Sequence, residues 1–402
     1  MPMTPRERIR CALDHREPDR VPVDLGGTES SGITGIAYKR LKQKLGIEGG
    51  RIRIFDLMQQ IAEVEKPVVE MVGADTLPLL IGPKSWKTWA LPDGSECEIP
   101  QEVHIEERDG GDTVIVADDG TPVLKRPEGG YYFDSIFHPL EEARDENDID
   151  KGMPFFRSMD LPWYNDEGFD GLKTKARRLY QETSLAVIGN LWVHLLAAGQ
   201  DLRGYENFMV DLVINKPLAH RLFERQLEAY LPRIDRYIDA VGGYVDIIEV
   251  NDDLGSQNGP IMRPELYREM IKPYHKRLWE YIKKKSKKPL LLHSCGSVYK
   301  LIPDLIECGI DALNPVQITA ADMDTARLKR EFGSELVFWG GGCDTQKVLP
   351  HGTVQEVREE VRRRIDDLAF GGGFVFCQVH NIQPDVPPEN IVAMYEEIGT
   401  LL

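Results

Sequence analysis

The sequence predicts a single (β/α)8 barrel of the TIM type, with a β-hairpin insertion after its second strand. Two observations support this fold. Short apolar runs that end in Gly, Asp or Asn alternate with longer amphipathic stretches, and eight such units follow one another along the chain. Alternation of strands and helices implies parallel pairing, and eight units close a barrel. We therefore expect one domain, residues 1–402.

The first predicted element is a helix over residues 5–15. Thr4 and Glu7 form a capping-box pattern around Pro5, which favours a helix start at that point. Cys11 lies off the apolar face of this helix and is interpreted as a structural thiol.

The barrel strands and helices follow in order. The predicted strands are residues 21–26, 76–81, 184–189, 245–250, 289–293, 312–316, 336–340 and 374–378. The predicted helices are residues 36–45, 56–72, 170–182, 217–240, 264–285, 298–307, 324–332 and 354–370. Each strand carries an apolar run, and each helix carries apolar residues at helical spacing.

Residues 82–162 break this alternation. Their short β-rich runs, such as residues 113–116 and 129–133, are separated by turn sequences such as Pro92-Asp93-Gly94. That pattern is typical of antiparallel hairpins. We expect the segment to be an insertion that caps one rim of the barrel.

Composition excludes several classes of partner. The chain has 66 Asp and Glu against 49 Lys and Arg, a net charge of −17, so its surface repels nucleic acids and anionic lipids. It shows no signal-peptide pattern and no apolar run that could span a membrane, which predicts a cytoplasmic protein. The six cysteines are expected to be free thiols or metal ligands.

Active sites of such barrels lie on the loops that follow the strands, so polar residues there carry the functional predictions. The fifth predicted strand ends in His293-Ser294-Cys295, which puts an imidazole and a thiol two residues apart on one side of the chain. This pair suits a borderline metal ion such as zinc. Cys343, Cys377 and His380 are the candidates for a third ligand.

The fourth predicted strand ends in a group of polar residues that includes Glu249, Asn251 and Asp252. Carboxylates and amides there could act as acid or base, hold a substrate, or complete a metal site. Asp253 has two interpretations of equal weight: it belongs to this functional group, or it is only a turn or capping residue. The ends of other strands add Trp192, Gln317 and Gln346, which are the candidates for substrate binding.

Three stretches resemble the uroporphyrinogen decarboxylase superfamily: residues 16–23, residues 293–296 and residues 379–390. This superfamily contains cofactor-free porphyrinogen decarboxylases and zinc-dependent methyltransferases that exchange methyl groups with corrinoid proteins. The decarboxylases bind a polyanionic substrate with an Arg-rich segment. Here the corresponding residues 25–31 contain no arginine, which favours the methyltransferases.

The methyltransferase resemblance implies a zinc site, with His293 and Cys295 as its first ligands. The third ligand of the family is usually a cysteine, but the register of the C-terminal motif puts His380 at that position, while Cys343 and Cys377 stay alternatives. The chain looks most like the O-demethylases of methoxylated aromatic compounds. The resemblance therefore implies transfer of a methyl group to Co(I) of cobalamin on a separate corrinoid protein, with Glu249, Asn251 or Asp252 orienting the substrate or filling the fourth metal position.

Two other functions stay open at this point. One is a metal-independent decarboxylase with Asp252 as proton donor. The other is a non-catalytic partner that only docks a corrinoid protein. The sequence does not choose among methyl donors or fix the direction of transfer, and a homodimer is expected only on the ground that barrel exteriors often carry an apolar helix face.

Overall fold

The computed structural model describes residues 2–158 and 166–401. Within these residues, seven strands form one parallel sheet. We number them in chain order as β1 (Thr76–Leu79), β2 (Ala186–Asn190), β3 (Ile247–Asn251), β4 (Leu290–His293), β5 (Ala312–Asn314), β6 (Val337–Trp339) and β7 (Phe374–Val375). Neighbours in the chain are neighbours in the sheet, so every connection is a crossover of the barrel type.

A segment around Val23 joins the two outer strands of this sheet. The backbone N–H of Asp24 donates to the carbonyl of Phe376, just past β7, at 2.8 Å, and the carbonyl of Val23 accepts from the N–H of Asp75, just before β1, at 2.7 Å. The predicted strand 21–26 is reduced to an isolated parallel bridge between Val23 and Phe376. The fold is mixed α/β with a curled parallel sheet, as the sequence predicts.

The buried carboxylate of Asp75 fixes that segment. It accepts hydrogen bonds from the guanidinium groups of Arg8 and Arg20 and from the N–H of Val23. Asp19 completes the arrangement by accepting from Arg8. Residues of the first superfamily motif therefore stabilise the end of the sheet where the strands begin.

Alternate strand residues pack into two separate cores. One contains Ile188, Ile247, Leu291 and Trp339 together with Ile9 of the N-terminal helix. The other, much larger core contains the intervening strand residues and the surrounding helices. This division follows from the two-residue period of a strand. A sheet that is buried on both faces is typical of barrel proteins.

The helices surround this sheet. They are Pro5–Leu13, Gly35–Lys44, Lys66–Val72, Glu146–Ser158, Asp166–Glu182, Leu196–Arg203, Tyr205–Ile214, Lys216–Val241, Pro264–Met270, Lys272–Ser286, Ile302–Glu307, Thr325–Phe332, Val348–His351, Val354–Leu368 and Pro388–Glu397, with a 3-10 turn at Tyr299–Leu301. The capping box predicted at Thr4 and Glu7 is confirmed, and a second one lies at Thr353 and Glu356.

Two helix predictions need correction. Residues 56–72 do not form one helix: short antiparallel strands Ile54–Asp56 and Ile61–Ala62 precede the helix Lys66–Val72. The Asp56 carboxylate accepts from the N–H groups of Met58 and Gln59, which makes a turn in place of a helix start. Residues 264–285 divide into two helices near Pro273, whose nitrogen cannot donate to a continuing helix.

Antiparallel strands occupy much of the segment predicted as an insertion. Trp86–Ala90 pairs with Glu96–Pro100, and a second sheet contains His104–Glu107, Thr113–Val116, Pro122–Arg126 and Asp134–Ser135. The run predicted at residues 129–133 is wrong by its position: these residues form no strand, and the last strand begins just after them. Residues 159–162 of the predicted segment lie outside the described residues, and its status as an insertion stays a prediction.

None of the helices in the described part of the chain combines the length and the apolar character that a membrane span requires.

Candidate metal centre at the strand ends

Three side chains with metal-binding atoms meet at the carboxyl ends of the strands. One ligand atom from each of His293, Cys295 and His380 lies within 4.8 Å of the other two. Cys295 Sγ is 3.4 Å from His293 Nε2, and the rings of His293 and His380 are 5.8 Å apart between centroids. His293 ends β4, Cys295 lies in the loop after it, and His380 lies in the loop after β7, so the curling of the sheet brings them together.

Asn314 orients the imidazole of His293. Asn314 Oδ1 lies 2.8 Å from His293 Nδ1 and also accepts from the hydroxyl of Ser30, while Asn314 Nδ2 donates to the carbonyl of Trp339 at 3.0 Å. Because the amide oxygen can only accept, the proton of His293 lies on Nδ1. The lone pair of Nε2 therefore faces Cys295, as a metal ligand requires.

The backbone at Cys295 is held by the loop that follows β3. Asp253 Oδ1 accepts from the N–H of Cys295 at 2.7 Å and lies 3.8 Å from His293 Nε2. Gly296 has φ of 81°, and a Cβ there would collide with the backbone of Gly255. Glycine is therefore required where the two loops cross. Asp253, for which the sequence left a functional role and a turn role open, borders the cluster.

Electrostatics favour neutral ligands in this cluster. Burial, followed by the neighbouring His293, lowers the pKa of His380 to about 4, so its imidazole is neutral at pH 7. Burial raises the pKa of the Cys295 thiol, and the charge of Asp253 raises it further. A bound cation would reverse that effect, because a coordinating thiol loses its proton.

Cys343 and Cys377 are not part of the cluster. Both side chains are fully buried. Cys377 packs with Trp339 in the smaller of the two cores, and its Sγ lies 3.9 Å from Asn314 Nδ2. Of the three candidates for a third ligand, the described residues bring only His380 beside His293 and Cys295.

The carboxylate of Asp252 is hydrogen-bonded to neighbouring groups of the protein. It accepts from the N–H groups of Leu195, Leu196 and Ala197, at the start of the helix Leu196–Arg203, and it is 2.8 Å from His275 Nε2. Burial would raise its pKa, but the hydrogen bond from His275 and the backbone donors outweigh burial and hold the pKa below its usual value. Its geometry is that of a helix cap.

Glu249 belongs to a group of carboxyls inside the mouth of the sheet. It accepts from Asn190 Nδ2 at 2.6 Å, and burial raises its pKa to about 8. Two half-buried neighbours, Glu29 and Asp56, were missed by sequence reasoning. Burial, the charge of Asp56 and then that of Glu249 raise the pKa of Glu29, and burial raises that of Asp56 to about 6. Of these groups, Glu249 therefore keeps its proton at neutral pH.

Asn251 continues the inward face of β3, two residues beyond Glu249. It pairs in register with His293, and its buried Oδ1 has no hydrogen-bond partner among the described residues. A buried amide oxygen without a partner is uncommon and calls for a ligand or water. Its place beside His293 makes Asn251 available to a bound substrate.

The predicted substrate-binding residues are divided between two places. Trp192 follows β2 and is half-buried. Gln317 Oε1 accepts from the N–H of Gly296 at 2.7 Å, and Gln317 and Gln346 both hydrogen-bond to Gln257. Gln317 is thus anchored beside Cys295, and Gln346 reaches the same place from the loop after β6.

The antiparallel segment also reaches this mouth. Tyr132 donates to Gln383, Gln383 donates to Asn381, and Asn381 Nδ2 donates to Gln59 Oε1 at 2.6 Å. Asn381 directly follows His380. This chain of hydrogen bonds therefore ties the segment to the backbone that carries the third member of the cluster.

Comparison with known proteins gives the family of this fold and site. Residues 190–401, more than half of the chain, match the profile described as Uroporphyrinogen decarboxylase (URO-D). The chain belongs to the uroporphyrinogen decarboxylase family. This confirms the resemblance predicted from the sequence motifs, and the matched residues include His293, Cys295 and His380.

Proteins with two different activities resemble the chain. The uroporphyrinogen decarboxylase of Legionella pneumophila is 25% identical over 207 residues, which are 50% of this chain and 54% of that protein. The Methylcobamide:CoM methyltransferase MtaA of Methanosarcina barkeri is 25% identical over 174 residues, which are 43% of this chain and 47% of that protein. The chain thus spans about half the length of the curated relatives it matches.

A solved structure extends the similarity to the whole chain. A methyltransferase from Methanosarcina mazei aligns with 99% of this chain and 98% of its own, with a TM-score of 0.55 and 18% sequence identity. At this identity the similarity concerns the fold. The aligned residues cover almost the entire chain, including the antiparallel segment.

Proposed function

We propose that this protein is a zinc-dependent methyltransferase that moves a methyl group from a methoxylated aromatic substrate to the Co(I) of a separate corrinoid protein. The observation that carries the proposal is the cluster of His293, Cys295 and His380 at the strand ends of a chain from this family. The similarity to a methylcobamide methyltransferase supports the corrinoid partner.

The donor set suits zinc. Catalytic zinc sites commonly have three protein ligands from His and Cys and keep a further position for substrate or water. The proton of His293 on Nδ1 leaves Nε2 available, and His380 is a neutral imidazole. When bound, the metal would supply Lewis-acid polarisation of the ether oxygen.

The reaction needs a broken C–O bond and one proton. The methyl carbon forms a bond with cobalt using two electrons from Co(I), and the electron pair of the C–O bond stays on the leaving phenolate, which takes up a proton to give the phenol. Glu249 holds a proton at neutral pH, and Asn251 offers an unpartnered oxygen beside His293. We assign proton delivery to Glu249, substrate orientation to Asn251 and Trp192, and support of the loop to Asp252.

The carboxyls of the mouth favour this function over decarboxylation of a polyanionic substrate. Glu29, Asp56 and Glu249 line the interior, and any of them in its ionised form would repel a substrate with many carboxylates. The loop of residues 25–31 offers no guanidinium group in compensation.

We also propose that the whole chain is one (β/α)8 barrel domain, with the segment around Val23 as its eighth strand and residues 82–162 as a β-rich insertion. The hydrogen bonds of this segment to both outer strands support a closed barrel. An uninterrupted barrel is the form in which the loops after β4 and β7 would face each other across one mouth.

Elemental analysis tests the metal site directly. We expect about one zinc per chain in protein purified without chelators or an affinity tag, and loss of it in His293→Ala, Cys295→Ala and His380→Ala. His104→Ala and Cys308→Ala are matched controls, since both residues lie outside the cluster. Absence of metal in the unaltered protein, or retention of metal in all three variants, contradicts the proposal.

The transfer step has its own assay. The metal-loaded protein is mixed with a methoxybenzoate and a Co(I) corrinoid protein, and the visible spectrum is followed for conversion of Co(I) to methyl-Co(III). We expect conversion that depends on all three components. A metal-free chain that instead releases CO2 from a porphyrinogen would support the decarboxylase alternative.

A further inference from the structure

Three glutamine side chains form a connected polar group beside the metal centre. Gln257 Nε2 donates to Gln346 Oε1 at 2.9 Å, and Gln317 Nε2 donates to Gln257 Oε1 at 3.3 Å. Thr319 Oγ1 also donates to Gln346 Oε1, at 3.0 Å. These residues come from the loops after β3, β5 and β6, and we call them the amide rim (Gln257, Gln317, Thr319 and Gln346).

The amide rim is anchored next to Cys295. Gln317 Oε1 accepts from the N–H of Gly296 at 2.7 Å, and Gln257 forms a backbone hydrogen bond with Ala321 across the same loops. Gln257 and Gln346 are exposed. A ligand held on the rim would therefore lie over the mouth, close to the thiol, and would be reached from solvent.

The rim is neutral in an acidic protein. Among the described residues, no charged side chain hydrogen-bonds to its side-chain amides, although the chain has 115 charged side chains. Each side-chain amide carries two N–H donors. Gln257 and Gln317 use one donor each, and Gln346 Nε2 uses none within the described part of the chain, so donors remain for a ligand.

This chemistry selects a particular kind of ligand. A phosphate or carboxylate would call for Lys or Arg, and a cation would call for carboxylates. An uncharged ligand with its own amide groups can both donate to and accept from such a rim. The corrin ring of cobalamin fits that description, because uncharged acetamide and propionamide groups surround its edge.

We infer that the amide rim is the docking site for the corrin ring of the partner protein and holds the cobalt side of that ring over the metal centre. This inference rests on the proposed function, and it reassigns Gln317 and Gln346 from the small methyl donor to the corrinoid. The methyl donor is then held deeper, against Asn251 and Glu249. The two reactants approach the cluster from different sides.

Binding of methylcobalamin alone tests the inference. Its dissociation constant for the zinc-loaded protein is measured by equilibrium dialysis, with the unaltered chain and the Gln257→Leu/Gln346→Leu double variant. Loss of the hydrogen bonds from two side-chain amides is expected to raise the dissociation constant about 10-fold, which corresponds to about 1.4 kcal/mol. Gln355→Leu, an exposed glutamine on Val354–Leu368, is the matched control and should leave it unchanged.

A second variant separates hydrogen bonding from shape. Gln257→Glu/Gln346→Glu keeps the side-chain size but removes the N–H donors, so it should weaken binding to a similar degree. Thermal denaturation verifies that each variant is folded, which the exposure of both residues favours. Unchanged binding in both double variants overturns the inference.

Failure of the inference is distinguishable from failure of the proposed function. A chain that contains zinc bound by His293 and Cys295 but binds methylcobalamin equally with and without the rim, or not at all, overturns the amide rim and leaves the metal site standing. A chain without zinc contradicts the proposed function by its metal content, which the rim variants are not expected to alter.

Discussion

The mouth of the sheet has two chemically different sides. One, which we call the carboxyl side, consists of buried or half-buried acids, and the other is the amide rim, whose half-buried or exposed neutral groups adjoin Cys295. The carboxyl side contains Glu29, Asp56 and Glu249. The amide rim contains Gln257, Gln317, Thr319 and Gln346.

The two sides differ in how much their burial lowers the stability of the folded protein. Burial of a carboxyl penalises its charged form. It therefore raises the pKa of the acids on the carboxyl side and makes the stability of the folded protein depend on pH. Amides at the surface exchange water for one another at little cost. Changes on the carboxyl side and its supports should therefore alter stability, whereas changes in the amide rim should alter binding.

The largest effect is expected at Asp252, which directly follows β3, the strand that carries Glu249. Asp252→Ala leaves His275 and the N–H groups at the start of Leu196–Arg203 buried without their acceptor, and it should lower the free energy of unfolding by about 3–5 kcal/mol. Urea denaturation followed by circular dichroism measures this change.

The adjacent acid provides the control for that experiment. Asp253 is exposed and accepts from the N–H of Cys295, so Asp253→Ala should cost no more than about 1 kcal/mol. Equal, small losses for the two variants would mean that Asp252 is not a structural support, and the metal-independent role as proton donor would regain weight.

Glu249 should make stability fall as pH rises. Its pKa is about 8 in the folded chain and near 4.5 when unfolded, so between these values the folded state keeps a proton that the unfolded state has released. The stabilisation is complete below pH 4.5 and is lost as pH rises through 8, by up to about 1.4 kcal/mol for each pH unit.

Glu249→Gln removes this dependence because a neutral amide can still accept from Asn190. We expect the variant to gain thermal stability relative to the unaltered chain at pH 8 and to differ little at pH 4.5. Glu48→Gln, which replaces an exposed acid, should follow the unaltered chain at both values. Parallel pH profiles for the three proteins would show that Glu249 does not hold its proton.

The smallest effect concerns the boundary between the two sides. Asn314→Ala removes the acceptor that fixes the proton of His293, and it should weaken zinc binding about 10- to 100-fold. Competition with a chromophoric chelator measures the affinity, and Asn258→Ala, an exposed residue near the amide rim, is the control. Equal affinities for the two variants would mean that the imidazole of His293 needs no support.

Most of the sheet could be predicted because its signal is local. Each of the strands β1 to β7 overlaps a predicted apolar run. Predictions failed where a side chain redirected the backbone: the carboxylate of Asp56 forms a turn where the apolar pattern favours a helix. The helices Leu196–Arg203 and Tyr205–Ile214 were missed. The start of the first is capped by Asp252, which follows β3 and is far away in the chain, so no local capping signal marks it.

The candidate site was predicted only in part. His293 and Cys295 are two residues apart, so their proximity follows from the strand itself. The register of the C-terminal motif put His380 at the third position but left Cys343 and Cys377 as alternatives. Only the structure shows which of the three side chains faces the mouth. Glu29 and Asp56 were missed for the same reason, because each becomes notable only beside Glu249.

The sequence by itself determined the family, the alternation of strands and helices, and the His-x-Cys pair, because each of these is written in neighbouring residues or in motifs. The tertiary structure separated His380, already placed third by the motif register, from the cysteine alternatives. It also decided that Asp252 caps a helix start and that the mouth divides into a carboxyl side and an amide rim. The physical reason is that burial and hydrogen-bond partners arise from contacts between residues far apart in the chain, and these exist only once the sheet has curled.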